Sequence, residues 1–112
     1  MVAVIKALVV AASIAHGVSV AGMDALVACE TGRTFDPHIV SRNGLYVGLT
    51  QLDAGNRRRL RTWAEQQGLQ PDEDDPSQQL NYSLDVIRAG GIGQWPVCGQ
   101  WLRGYMGLEV LP

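Results

Sequence analysis

The chain has little net charge, only two cysteines, and no internal repeat or low-complexity segment, and each shortage removes a class of protein. A formal charge of −2, with 18% charged and 46% apolar residues, excludes a disordered polyelectrolyte and a chain built to coat nucleic acid. Cys29 and Cys98 form no CxxC pair, and no His/Cys spacing suits zinc, so neither a metal nor a cofactor is expected. The apolar stretch at residues 1–15, broken by Lys6 and Ser13, is too short to span a bilayer. Length admits one hydrophobic core and not two, so a single domain over residues 1–112 is expected.

What remains reads as a mainly α chain. Val2 to His16 is apolar nearly all round, the pattern of a helix packed inside a core, and Gly17 offers a stop. A secretory leader cleaved after Ala21 is the competing reading, and the buried first helix is preferred. Ser19 suits the N-cap of a second helix running to about Glu30, with Gly32 placed to end it. Phe35 to Val40, with Pro37, reads as a turn. Tyr46, Val47, Leu49 and Leu52 lie in a glycine-punctuated stretch that fits a short irregular hairpin or a loop. A third helix is expected from an Asn56 cap through Gln67, with Leu60 and Trp63 on one side and an otherwise polar surface. Asp75 as cap and Pro76 in the first turn predict a fourth helix, which carries Leu80, Leu84 and Ile87 and stops at Gly90 and Gly91. Trp95, Pro96 and Cys98 then lead into a short last helix.

Charges fall in two runs, Arg57, Arg58, Arg59 and Arg61 against Asp72, Glu73, Asp74 and Asp75, and both are expected to face solvent. An attraction of the arginines to an anionic polymer is the functional alternative. From their count alone, the cysteines are equally compatible with a disulfide and with two buried thiols.

The chemistry centres on Glu30. Met23, Leu26 and Val27 form an apolar stripe, and the same spacing continues onto Glu30. A carboxyl group on a buried face, in a last helical turn whose dipole disfavours negative charge, is expected to hold its proton near neutral pH. The bland alternative is a side chain that frays outward or pairs with Arg33.

The run Ala25-Leu26-Val27-Ala28-Cys29-Glu30-Thr31-Gly32, then Phe35-Asp36-Pro37, Val40-Ser41 and Gly48-Leu49-Thr50-Gln51-Leu52, resembles the soluble lytic transglycosylase (goose-lysozyme-like) family in order and spacing. Cys29-Glu30-Thr31-Gly32 taken with Gln94-Trp95-Pro96-Val97-Cys98 also resembles the resuscitation-promoting factors, cell-wall enzymes with a related domain. These resemblances imply a single lysozyme-like helical domain and a bond between Cys29 and Cys98. They imply Glu30 as catalytic acid and base, and substrate contacts from Ser41, Tyr46, Gly48, Leu49, Gln51 and Trp95. Thr31 and Thr50 depart from the family's Ser and Met. Asn81-Tyr82 is only an echo of a late Ala-Tyr-Asn segment.

What the resemblance implies for activity is cleavage of the MurNAc–GlcNAc bond of peptidoglycan glycan strands to a 1,6-anhydro product. It implies a place outside the cytoplasm, secreted, at the cell envelope or in a phage virion, beside other envelope or virion proteins. A hydrolytic lysozyme would need a second carboxylate. Asp36 and Asp53 are the nearest, but one fits a turn and the other a helix cap. A non-catalytic wall-binding or structural subunit is the alternative from a different class. Tyr46, Trp95 and Trp101 suit either sugar stacking or packing. His16 and His38 have no partners that suggest chemistry.

Overall fold

Short polar side chains set the starts of the three middle helices in the computed structural model, which describes residues 1–106; the last six residues of the expected domain lie outside the described ones. Five helices follow in order: α1 (Val2–His16), α2 (Val20–Glu30), α3 (Ala54–Gln66), α4 (Pro76–Arg88) and α5 (Gly99–Met106), with a 3₁₀ turn at Gly91–Gln94. The chain is mainly helical, as expected. Ser19 caps α2 by accepting the Gly22 N–H, and Asp75 caps α4 by accepting that of Gln78, with Pro76 in the first turn. Gly17 ends α1 in the left-handed region, at φ 66°.

Two expectations are corrected. Asp53, not Asn56, caps α3, accepting the Asn56 N–H at 2.8 Å. Asn56 is instead a buried residue inside the first turn, and its Oδ1 accepts from the Tyr82 hydroxyl at 2.7 Å. The first helix is not enclosed either. Ile5, Val9, Ala12 and Ser13 are buried, while Val2, Val4, Val10 and Ile14 are exposed. Its neighbours α2 and α4 cover one side only, because so few short helices cannot wrap a helix completely.

The core gathers Met23, Leu26 and Val27 of α2, Leu60 of α3, Leu80 and Leu84 of α4 and Leu102 of α5, all fully buried. Each such side chain contributes about 1.5–3 kcal/mol of hydrophobic stabilisation. Gly22 allows the tightest seam, between α2 and α5: a Cβ there would lie 2.6 Å from Leu102 Cδ1.

Between α2 and α3 the chain has no named strand. It forms an irregular hairpin from two isolated antiparallel bridges, Val40 with Val47 and Val47 with Leu52. The buried Gln79 of α4 braces it. Its Oε1 accepts the Leu49 N–H at 2.9 Å, and its Nε2 donates to Pro37 O at 2.9 Å and Glu73 O at 3.0 Å. Gly48, at φ 91°, makes room, since a Cβ there would sit 2.7 Å from Gln79 Oε1. Thr50 adds a buried hydroxyl contact to Ser83 at 2.8 Å. Glu73 also joins the two charge runs, pairing with Arg57 and Arg61. Among the described residues no helix is long and apolar enough to cross a membrane.

Candidate active site

Glu30 closes α2 one turn beyond the buried Leu26 and Val27, which carries its side chain to the edge of the core. The chain then turns sharply: Gly32, Arg33 and Phe35 take φ of 59°, 68° and 50°. For the two non-glycine residues this conformation costs on the order of 1 kcal/mol each or more. Thr31 holds the turn. Its hydroxyl donates to Val27 O at 2.8 Å and accepts the Phe35 N–H at 3.0 Å. A serine would present the same oxygen, so threonine at this position keeps the hydrogen bonds. The Phe35 ring is buried, with Lys6 Nζ 5.0 Å from its centroid.

Glu30 lines a groove of about 340 Å³, within the range of small-ligand sites. Cys29 and Glu30 form one wall, Tyr46 and Gln51 a second, and residues 94–98 a third. A disulfide between Cys29 and Cys98 ties the first wall to the third. Trp95 ties the third to the second, its indole N–H donating to Thr50 O at 2.7 Å. Burial raises the Glu30 carboxyl to a pKa of about 7, because the charged form loses solvation in the groove. Among the described residues its side chain has neither a hydrogen bond nor an ion pair to offset that loss, and Arg33 does not pair with it. Such a carboxyl can donate a proton near neutral pH and take one back.

The residues expected at the site divide. Gln51, Tyr46 and Trp95 come to the groove with Glu30. Gln51, at φ 52°, also serves its own loop, its Nε2 donating to Ile39 O at 3.2 Å and Gly48 O at 3.0 Å. Trp95 is 4% exposed, so it forms the groove's floor rather than a stacking platform. Ser41 does not reach Glu30: its hydroxyl donates to Asn43 Oδ1 at 2.7 Å and accepts the Tyr46 N–H at 3.1 Å, setting the turn before Tyr46. Gly48 and Leu49, expected as substrate contacts, are buried beside Gln79 of α4 and do not line the groove. The physical reason is Gln79, which draws this segment inward by hydrogen bonding. Their part is to support the loop that presents Gln51.

Neither candidate second carboxylate faces the groove. Asp36 accepts the His38 N–H at 2.9 Å within a turn, and Asp53 caps α3. Asn81 accepts from His16 Nε2 at 3.0 Å in a separate hollow between α1, α3 and α4, and Tyr82 is buried, so their resemblance to a late substrate segment does not extend to position. His16 also faces Asp85 at 3.2 Å. Gln94, Pro96 and Val97 line the groove without having been expected as substrate contacts; their place in the Gln94-Trp95-Pro96-Val97-Cys98 motif was the available signal. Gln79 had none, because a glutamine in an amphipathic helix reads as solvent-facing.

Comparison with known proteins follows the same segment. The transglycosylase-like domain family matches residues 18–98. Resuscitation-promoting factor RpfD, from two strains of Mycobacterium tuberculosis, is 30% identical over 82 residues, covering 72% of this chain and 47% of the relative. The chain thus spans about half the length of the curated relatives it matches. No solved structure matches it significantly. The matched segment holds α2 to the 3₁₀ turn and both cysteines, while α1 lies before it and α5 after it.

Proposed function

This chain belongs to the transglycosylase-like domain family, and from that membership we propose that it cleaves peptidoglycan glycan strands as a lytic transglycosylase, with Glu30 as general acid and then general base. The observation that carries the reading is the Glu30 carboxyl itself, desolvated to a pKa of about 7 in a groove of sugar size. Two-carboxylate hydrolysis needs a partner acid within about 5–10 Å to activate water or attack the sugar. Asp36 and Asp53 are committed to a turn and a cap, and among the described residues Glu30 is the groove's single acid.

One carboxyl suffices when the nucleophile is already part of the substrate. Protonated Glu30 donates to the glycosidic oxygen of the MurNAc–GlcNAc bond, and the C1–oxygen bond breaks. The resulting carboxylate accepts the proton of the muramic C6 hydroxyl as that oxygen bonds to C1, which closes a 1,6-anhydro ring and restores protonated Glu30. The tethered hydroxyl replaces a bimolecular encounter with an intramolecular one. Gln51 and Tyr46 orient the sugar from the facing wall, and Trp95 shapes the floor. Ser41, Gly48 and Leu49 act through the loop. The Cys29–Cys98 bond fits an oxidising location outside the cytoplasm, where the substrate lies.

Digestion of purified peptidoglycan followed by mass spectrometry tests this. Transglycosylation gives fragments with anhydro ends, each lighter by one water than a hydrolytic fragment. Glu30→Gln, folded by circular dichroism, is expected to lose about 1,000-fold in rate. Reducing ends throughout would instead mark a lysozyme, and an undiminished Glu30→Gln variant would reject Glu30 as the catalytic acid.

A further inference from the structure

Beyond the disulfide, on the side of α2 away from Glu30, lies a second hollow of about 430 Å³ formed by Ala25, Ala28, Cys29, Arg33, Trp101 and Tyr105. Cys29 lines both this hollow and the catalytic groove, so the two share one wall residue, which the disulfide bonds to Cys98. Trp101 and Tyr105 stand four residues apart on α5, hence on one face, and are 58% and 60% exposed. Next to them Leu102 is fully buried against Gly22 of α2, and the Tyr105 Cβ packs on the same glycine. The aromatic rings themselves stay largely exposed and contribute little to the core. Arg33, held at φ 68° in the turn after Glu30, adds a guanidinium to the same hollow, and among the described residues it has no ion pair. Small alanines make the floor, which leaves the aromatic faces open.

We propose that this shelf is a further binding subsite for the same glycan strand, taking sugar rings against Trp101 and Tyr105 and a stem-peptide carboxylate on Arg33. The proposal rests on the reading of the groove as a peptidoglycan site. Three features select this occupant. Aromatic rings with exposed faces suit the apolar faces of pyranose sugars. A guanidinium suits a carboxylate, which this polymer carries on its peptide stems. The shared wall at Cys29 puts the hollow within reach of a strand that crosses the disulfide from the groove. The shelf's aromatics lie on a helix that follows the family-matched segment. The expected consequence is preference for long, peptide-bearing strands over short fragments.

The test uses the full chain in a Glu30→Gln background, which stops cleavage, and measures binding of long glycan strands and of a tetrasaccharide from the same wall. Trp101→Ala with Tyr105→Ala is expected to weaken long-strand binding about tenfold and leave the tetrasaccharide unchanged. Arg33→Glu is expected to weaken strands that carry stem peptides but not strands stripped of them. Equal affinity for long strands in parent and shelf variants overturns the proposal. So does a self-association seen by sedimentation that disappears with the aromatics, which would make the shelf a contact between copies. With Glu30 intact, an inert parent whose shelf variants still lose long-strand binding would sink the enzymatic reading and leave the shelf standing.

Discussion

Glu30 has a carboxyl whose folded pKa of about 7 lies above its ordinary 4.5, so between those values the folded chain binds more protons than the unfolded one. The stabilising contribution of the protonated form is fully present below pH 4.5 and is lost as pH rises through 7. Glu30→Gln, neutral at every pH, should match the parent in stability at pH 4 and exceed it at pH 8. Because the side chain is partly solvated, the gain is discounted to about 1 kcal/mol, roughly 4 °C in Tm, measurable by calorimetry at the two pH values. A residue that loses activity and gains stability on the same substitution is one whose strain serves chemistry. Cleavage by the parent should fall as pH climbs above 7, when the acid has lost its proton. Glu30 was legible because an apolar stripe ran into a carboxylate. Gln51 and Tyr46 were legible through family resemblance alone, since nothing in their own chemistry distinguishes them from loop residues.

Helices α2 and α4 were readable almost to the residue, because Ser19, Asp75 and Pro76 are strong local signals at their ends. The loop between α2 and α3 was not. Its shape depends on Gln79, 30 residues beyond Leu49, which supplies three hydrogen bonds to three separate backbone segments. Gln79→Leu keeps the volume but leaves buried N–H and C=O groups unpaired, at a cost of about 2–4 kcal/mol. Urea denaturation should show a lower midpoint with an unchanged slope. Activity should fall as well, because the loop that presents Gln51 loses its brace. The same reasoning explains Leu49: read as a groove residue, it is drawn inward by its own N–H bond to Gln79.

Across the whole molecule the Cys29–Cys98 bond joins residues 69 apart and closes most of the chain into one loop. In the chain-entropy account this stabilises the fold by about 4 kcal/mol as an upper value. Reduction is expected to lower Tm by up to about 15 °C and to release the wall carrying residues 94–98. A Tm unchanged by reductant would contradict the bond's structural role. Sequence patterning alone determined the helices, the caps of α2 and α4 and the approach of Glu30 to a buried face, because each depends on neighbours within one or two turns. Only the tertiary structure decided which side of α1 is covered, how far the 46–52 loop turns inward, and that Trp101 and Tyr105 meet Arg33 in one hollow against α2. Those outcomes depend on which surfaces meet across the fold, and no local spacing encodes the identity of a distant partner.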